Sequence, residues 1–221
     1  MEWLASISAD AQAMSLWEGI AVALAVVYLV GAMNSKLWCW PAAFVSTLIY
    51  TVLFWKVALL MESLLNVYYM AMAVYGFWMW RYGGSVKGGG AGVGKERQGV
   101  AMVSWSLSRH LQLIAVTAVV ALALGYVMSN YTHADFAYLD AATTTFAVMT
   151  TVLVALKVIE NWLYWVVIDL VSIYLYVSKG FMLTSALFVF YTVLAFYSYW
   201  VWRKAYLQQE QGNCPNTLTA T

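Results

Sequence analysis

Seven long apolar runs make up most of this sequence, and they restrict the chain to folds that cross a lipid bilayer. Each run has about the length of a helix that spans the roughly 30 Å hydrocarbon core. A backbone in lipid must satisfy its own hydrogen bonds, so the runs predict helices and an all-α membrane protein. The predicted spans are Leu16–Met33, Leu37–Trp55, Leu59–Trp80, Leu111–Met128, Phe136–Leu156, Ile159–Val177 and Phe181–Trp202.

The composition supports a multi-pass membrane protein and argues against several other classes. Hydrophobic residues make up 64% of the 221 residues and charged residues only 10%, whereas soluble domains have about 25% charged residues. A net charge of +1 gives no sign of a nucleic-acid surface. The two cysteines, Cys39 and Cys214, and the two histidines, His110 and His133, do not form a metal-ligand pattern. We therefore expect neither a metal nor a cofactor.

One predicted span, Ile159–Val177, carries a stripe of polar and aromatic side chains. Its carboxylate, Asp169, lies near the middle of the span, so it must face protein, water or a ligand, because exposure to lipid is costly. It is either a buried structural acid or the group that orients a flat, cationic solute against tryptophan rings. We favour the second interpretation because aromatic faces attract cations. The stripe comprises Trp162, Trp165, Asp169, Ser172 and Tyr176, at helical spacing.

The first three and last three spans look like two copies of one three-helix unit. Four residues near the end of the third span recur near the end of the seventh span with a constant offset of 122. An odd number of helices plus one linking span gives both units the same orientation, which predicts a parallel 3+1+3 repeat. The alternative is that both spans simply end in an aromatic and basic interface anchor. The recurring residues are Tyr75, Trp78, Trp80 and Arg81, then Tyr197, Trp200, Trp202 and Arg203.

A second pair of basic residues suggests the register inside the repeat. Lys56 and Lys179 end the second and sixth spans with an offset of 123, which pairs Ser46 with Asp169. In transporters built from repeats, the solute site lies near the midplane between the repeats. Further polar stripes on the third and fifth spans comprise Glu62, Asn66 and Tyr69, then Asp140, Thr144 and Thr151.

Lysine and arginine set the predicted orientation. Nine of these residues would lie on one side of the membrane and two, Lys56 and Lys179, on the other. The positive-inside rule then places the N-terminus outside and the C-terminus in the cytoplasm. The predicted organisation is an N-terminal lead over 1–15, a first three-helix repeat over 16–81, a cytoplasmic Gly-rich linker over 82–109, a linking helix over 110–130, a second repeat over 131–203 and a cytoplasmic tail over 204–221.

Three motifs resemble those of the bacterial Pnu-type vitamin transporters, the family of the nicotinamide riboside transporters and their thiamine-transporting relatives. They are the E-N-W-x-x-W box from Glu160 to Trp165, Asp140 twenty residues before it, and the Y-G-x-x-x-W sequence that ends at Trp80. The resemblance runs from about Trp17 to Arg203. It implies a SWEET-like 3+1+3 fold, a homotrimer, and facilitated uptake of a vitamin across the bacterial inner membrane, with cytoplasmic phosphorylation as the trap.

The same resemblance implies roles for single residues. Trp162 and Trp165 would hold an aromatic base, and Asn66 would supply the amide of the third span. Carriers of nicotinamide riboside often have Gln at the position of Asn66 and Asn at those of Ser46, Asp169 and Tyr197. A carboxylate at 169 suits a fixed cation such as thiamine, but nicotinamide riboside is also cationic, so both remain candidates. The candidate solute contacts are Ser46, Tyr50, Asn66, Tyr69, Thr144, Trp162, Trp165, Asp169, Ser172 and Tyr197, and the candidate gate residues are Glu62, Asp140, Glu160 and Asn161.

Other functions for a seven-helix membrane protein fit this sequence less well. A retinal protein needs a lysine inside its seventh span, and this span has none. An intramembrane enzyme needs a nucleophile with its base or a second acid at depth, and the stripe around Asp169 has neither. We therefore expect a transporter and not an enzyme. A proton-coupled carrier that uses Asp169 as its titrating group is the alternative to a facilitator.

Overall fold

The computed structural model describes residues 16–56, 60–84, 99–132, 136–178 and 182–213, and these residues form an all-helical protein. Seven helices in this part of the chain follow the seven predicted spans one for one. They are α1 (Leu16–Met33), α2 (Cys39–Lys56), α3 (Leu60–Tyr82), α4 (Leu107–Tyr131), α5 (Ala137–Ala155), α6 (Asn161–Ser178) and α7 (Met182–Asn213).

The helices have the dimensions of membrane spans. Within the described residues, α1, α4, α5, α6 and the greater part of α7 are long and apolar enough to cross a bilayer. The other two, α2 and α3, have 18 and 23 residues and are also long enough, but their Trp, Tyr and charged residues lower their mean hydropathy. The protein is therefore an all-α, multi-pass membrane protein, as predicted.

The helix ends depart from the predicted spans where hydropathy is a poor guide. The largest difference is in α7, which continues to Asn213 instead of ending at Trp202, so residues 204–213 of the predicted tail are helical. The added turns contain Ala, Leu, Gln and Glu, which are good helix formers without being membrane-like. Helix α6 begins at Asn161 and not at Ile159, because Lys157 has a φ of 53° and ends the preceding helix in a turn.

Several predictions concern residues outside the described part of the chain. They are the lead over 1–15, most of the Gly-rich linker (85–98), the residues His133, Lys179 and Cys214, and the tail beyond 213.

Six of the described helices close a ring, and the remaining one, α4, packs on the outside of this ring. Helices α1, α2 and α3 pack in chain order, as do α5, α6 and α7. The two groups meet where α3 packs against α5 and where α7 contacts α1. Helix α4, which joins the two groups in sequence, packs against α5.

The two ends of the bundle differ in charge. We call the end that contains the α1–α2 and α5–α6 turns the basic end, and the opposite end the acidic end. The acidic end has Glu18 and Asp140 in the first turns of α1 and α5, together with Lys56. The described lysines and arginines at the basic end are Lys36, Arg81, Arg109, Lys157, Arg203 and Lys204.

The core is concentrated at the basic end, in a group of four buried tryptophans that we call the tryptophan cluster. The ring centroids of Trp40 and Trp80 are 5.2 Å apart, and those of Trp162 and Trp202 are 5.5 Å apart, in both cases edge to face. Trp80 and Trp202 join the two pairs at 6.1 Å. Edge-to-face packing is a favoured arrangement of aromatic rings, so the cluster holds four helices together.

Two indole hydrogen bonds connect the two groups of helices. Trp80 of α3 donates through Nε1 to the carbonyl oxygen of Val154 in α5, at 3.3 Å. Trp202 of α7 donates to the carbonyl oxygens of Ala32 and Met33 in α1, at 3.2 and 3.0 Å. The carbonyls of Ala32 and Val154 also accept a backbone bond in the following turn, from the N–H of Ser35 and of Lys157. The indole bonds therefore add a link between the two groups of helices at the ends of α1 and α5.

Candidate functional site

Two adjoining cavities lie inside the ring of helices, next to the tryptophan cluster. The Asp169 cavity has a volume of about 240 Å³ and the Ser46 cavity about 260 Å³. We call the two together the chamber, because Ala25, Tyr28 and Trp165 line both. The Asp169 cavity is also lined by Leu29, Val154, Trp162, Asp169, Phe188, Tyr191 and Ala195, and the Ser46 cavity by Trp40, Ala43, Ser46, Thr47, Tyr69 and Thr151.

Asp169 is the charged group of the chamber. Its helical spacing of four and seven residues from Trp165 and Trp162 puts all three on one face of α6, and this face turns towards the chamber. The residue is 4% exposed, and among the described residues no lysine, arginine or histidine forms an ion pair with it. Because an ionised carboxylate is poorly stabilised in an apolar cavity, this arrangement favours the entry of a cation.

Aromatic side chains form the walls around this carboxylate. Trp162 is 3% exposed, while Trp165 is partly buried and separates the two cavities. Phe188 of α7 is held by a stacked contact with Tyr176 of α6, with ring centroids 5.3 Å apart and an interplanar angle of 15°. A flat, positively charged ring would find several aromatic faces here, each of which attracts cations.

The Ser46 cavity offers hydrogen-bond acceptors. The hydroxyl of Ser46 donates to the carbonyl of Ala21 at 2.8 Å, and those of Thr47 and Thr151 donate to carbonyls of their own helices at 2.8 Å. Each hydroxyl proton is thus used by the backbone, and the oxygen lone pairs remain to accept a bond. Together with the carboxylate, these oxygens give the chamber a preference for solutes that donate hydrogen bonds or carry positive charge.

The structure brings together half of the predicted solute contacts and separates the others. Ser46, Tyr69, Trp162, Trp165 and Asp169 line the chamber. Ser172 is buried one turn beyond Asp169 but does not line either cavity. The same holds for Asn66 and Thr144, which are partly buried, and for Tyr50, which stacks on Phe54.

Tyr197 lies away from the chamber. It is 51% exposed and contacts Trp200, which is 59% exposed, on the outer face of α7. The prediction that Tyr197 contacts the solute therefore does not fit this structure. The reason is the rotation of α7, which points Ala195 and Trp202 inwards and turns Tyr197 outwards.

Sequence reasoning missed six polar or aromatic residues that line the chamber. Five of them belong to helices without a visible polar stripe: Tyr28, Trp40, Thr47, Phe188 and Tyr191. Tyr191 follows Tyr69 by 122 residues, so the offset found at the helix ends would have identified it. Thr151 was noted on the polar face of the fifth span but was not selected as a solute contact.

The predicted gate residue Glu160 belongs to a polar network at the basic end. Its carboxylate accepts a hydrogen bond from the Ser104 hydroxyl and one from the backbone N–H of Trp105, at 3.4 Å. It also lies 3.7 Å from Nε2 of His110, whose Nδ1 is 2.9 Å from the Tyr164 hydroxyl. These contacts join the start of α4 to the start of α6.

The other predicted gate residues lie in different places. Asn161 is fully buried at the basic end and donates from Nδ2 to the carbonyl of Val158 at 2.6 Å, which stabilises the α5–α6 turn. Asp140 lies in the first turn of α5, at the acidic end. The side chain of Glu62 is outside the described part of the structure.

These features define a class of protein. A ring of membrane-spanning helices around a small chamber, with an acid and aromatic walls, is the arrangement of a membrane transporter for a small solute. The family model described as "Nicotinamide mononucleotide transporter" matches residues 15–204. The chain belongs to this family of transporters and is not an enzyme.

Individual relatives agree with the family. The chain is 23% identical over 166 residues to the nicotinamide riboside transporter PnuC of Escherichia coli (strain K12), which covers 68% of this chain and 70% of that protein. The PnuC protein of Shigella flexneri matches equally well. The crystal structure of a vitamin B3 transporter PnuC superposes with a TM-score of 0.65 at 21% identity, over 86% of this chain and 81% of the other. This similarity confirms an all-helical membrane fold like that of PnuC.

Proposed function

We propose that the protein takes up a water-soluble vitamin or vitamin precursor with a cationic aromatic ring, either nicotinamide riboside or thiamine. The observation that carries this proposal is the buried carboxylate of Asp169, which lines one cavity with Trp162 and Trp165 and has no ion-pair partner among the described residues. The names of the relatives support a vitamin B3 compound. The carboxylate supports a fixed positive charge, which both compounds have.

The two cavities suggest how such a solute is held. The charged ring would lie in the Asp169 cavity, against Trp165 and opposite Tyr191. The hydroxyl-bearing part would reach the Ser46 cavity, where Ser46, Thr47 and Thr151 present acceptor oxygens and Tyr69 adds a phenol. Asn66, Tyr50, Ser172 and Thr144 would affect the site only through the packing of their helices.

The scaffold we propose is a parallel 3+1+3 repeat, as in SWEET transporters. Helices α1–α3 and α5–α7 are related by one offset, since α2 and α6 both have 18 residues and begin 122 positions apart. The turns before them have positive φ at equivalent residues, 52° at Ser35 and 53° at Lys157. The same offset relates the bond from Trp80 to Val154 to the bond from Trp202 to Ala32. It pairs Asp169 with Thr47 and not, as the offset of 123 suggested, with Ser46.

The charge of the two ends supports an orientation. The described lysines and arginines are concentrated at the basic end, and only Lys56 lies at the other. The positive-inside rule then places the basic end and the C-terminus in the cytoplasm and the N-terminus outside, in a bacterial inner membrane. The acidic end, with Glu18 and Asp140, would face the incoming cation.

The transport mechanism we propose is facilitated diffusion by movement of one three-helix unit against the other. Phosphorylation of the solute in the cytoplasm would prevent its return, and three copies of the chain would assemble in the membrane. The alternative is proton-coupled transport through Asp169. Uptake into proteoliposomes with and without a pH gradient separates the two, because only a coupled carrier responds to the gradient.

A binding titration tests the role of the carboxylate. Purified protein is titrated with thiamine, nicotinamide riboside and an uncharged analogue, and tryptophan fluorescence is followed. We expect Asp169→Asn to weaken binding of the cations by at least about tenfold, or roughly 1.4 kcal/mol. Glu210→Gln, a change at an exposed carboxylate of α7 that lines neither cavity, is the matched control and should leave the affinity unchanged. Unchanged cation affinity in a folded Asp169→Asn protein would show that the carboxylate is structural.

A further inference from the structure

The two groups of helices meet along two seams, and these seams differ in how they are packed. One seam lies between α3 and α5, and the other lies between α1 and α7. Within the described residues, α3 packs on α5 over a larger contact than α7 does on α1. The ring of six helices is therefore closed least firmly where its first and last helices meet.

Hydrogen bonds tie the α3–α5 seam at two levels. The hydroxyl of Tyr68 in α3 donates to the carbonyl of Val148 in α5 at 2.8 Å. Nε1 of Trp80, also in α3, donates to the carbonyl of Val154 at 3.3 Å. The two acceptors are six residues apart, or about 9 Å along the axis of α5. This seam is therefore held both in the middle of the bundle and at the basic end.

The α1–α7 seam is tied at the basic end and contains a cavity farther into the bundle. Nε1 of Trp202 in α7 donates to the carbonyls of Ala32 and Met33, in the last turn of α1, at 3.2 and 3.0 Å. Farther in, Leu29 of α1 and Tyr191 of α7 line the Asp169 cavity. The cavity replaces direct packing between the two helices at this level, and Trp202 joins them between the cavity and the basic end.

The offset of 122 allows the two seams to be compared at equivalent residues. It relates Ala25 and Leu29 of α1 to Ala147 and Thr151 of α5. Both α5 residues are buried, whereas both α1 residues are only partly buried. The same positions of the repeat are thus packed more completely in α5 than in α1.

We propose that the α3–α5 seam is the hinge of the transport movement and that the α1–α7 seam is the gate, which opens when Trp202 releases the end of α1. The inference rests on the proposed transport function. A ring made of two rigid groups opens by widening one seam about the other, which keeps its hydrogen bonds. The α3–α5 seam has the larger contact and is bonded at two levels, so it is the costlier one to separate. Opening at Trp202 would connect the Asp169 cavity with the basic end.

A pair of buried cysteines tests the gate without a solute. Ala32 in α1 and Val154 in α5 are equivalent residues, each is 1% exposed, and each accepts an indole hydrogen bond at its carbonyl. Ala32→Cys therefore reports opening of the α1–α7 seam, and Val154→Cys reports opening of the α3–α5 seam. Both variants also carry Cys39→Ser and Cys214→Ser, and the rate of modification by a positively charged methanethiosulfonate is measured.

Removal of the indole hydrogen bond should act differently at the two seams. We expect Trp202→Phe to accelerate the modification of Ala32→Cys at least about fivefold, because the small contact between α1 and α7 then separates readily. Trp80→Phe is the matched control. It should accelerate the modification of Val154→Cys by less than about twofold, because the bond from Tyr68 and the larger contact remain. Equal acceleration at the two seams would refute the assignment of hinge and gate, whatever solute the protein transports.

A distance measurement tests the same assignment with a solute. Spin labels are placed across the gate at Asn34 and Arg203, and across the hinge at the equivalent residues Leu156 and Arg81. The two distances are measured by double electron–electron resonance before and after addition of thiamine or nicotinamide riboside, whichever binds. We expect the gate distance to change by at least roughly 5 Å and the hinge distance by less than about 2 Å. An equal change at both seams, or no change at either, would refute the proposal. If neither compound binds, the proposed function fails, and the cysteine rates alone decide whether the α1–α7 seam is the gate.

Discussion

The indole hydrogen bonds between the two groups of helices can be tested by a change that keeps an aromatic side chain but removes the N–H. Trp202 is fully buried and donates to the carbonyls of Ala32 and Met33 at 3.2 and 3.0 Å. Phenylalanine at this position lacks the N–H and fills less space. Loss of the hydrogen bond costs about 1 kcal/mol, and the partly empty site costs about 1–2 kcal/mol more. We therefore expect Trp202→Phe to lower the free energy of unfolding by about 2–3 kcal/mol.

The assay is thermal unfolding of purified protein in detergent, followed by circular dichroism. For a chain of this size, the expected loss corresponds to a decrease in Tm of roughly 4–12 °C. Trp200→Phe is the matched control, because this residue is on the same helix but is 59% exposed. Its cost should stay within about 0.5 kcal/mol. If the two variants melt at the same temperature, the indole bonds do not hold the helices together and the reasoning is wrong.

Two further changes test the packing of the ring of helices. Gly76→Ala should lower Tm, because the new Cβ would lie 2.3 Å from the ring of the buried Trp40. Alanine is the better helix former, so an increase in Tm would contradict this close contact. Ser46→Ala removes the bond to the Ala21 carbonyl and should cost about 1 kcal/mol of unfolding free energy and weaken solute binding. Val45→Ala, on the exposed side of α2, is its control for binding, and equal affinities in the two variants would remove Ser46 from the site.

The helices could be predicted from the sequence because a lipid environment leaves few alternatives. Every described helix overlaps one predicted span, and the bounds of α1 agree to the residue. The same reasoning could not find the extension of α7 or the segment before α4, residues 99–105, which pairs with the α5–α6 turn. Both lie at the end of the bundle, where Gln209 and Val103 make specific hydrogen bonds that hydropathy does not encode.

The site was partly predictable for a similar reason. The stripe on α6 was visible because a carboxylate in a membrane span is costly to expose to lipid, and the structure buries Asp169 in the chamber. Tyr28 carries no such signal, since the residues around it in α1 are apolar and a tyrosine there is equally compatible with lipid. Tyr197 was assigned from the family pattern alone, and the rotation of α7 that exposes it depends on packing that one sequence does not reveal.

Trp80 of the first three helices donates to the last three, and Trp202 of the last three donates to the first three. This mutual exchange of hydrogen bonds has a consequence for how such a molecule can arise. Each set of three helices has one indole donor and, at the end of its first helix, one carbonyl acceptor. A half-length ancestor with this donor and acceptor already has what it needs to pair with a second copy of itself. Duplication and fusion of its gene would then join two copies that already bound each other. A later substitution in one half would introduce the carboxylate at position 169.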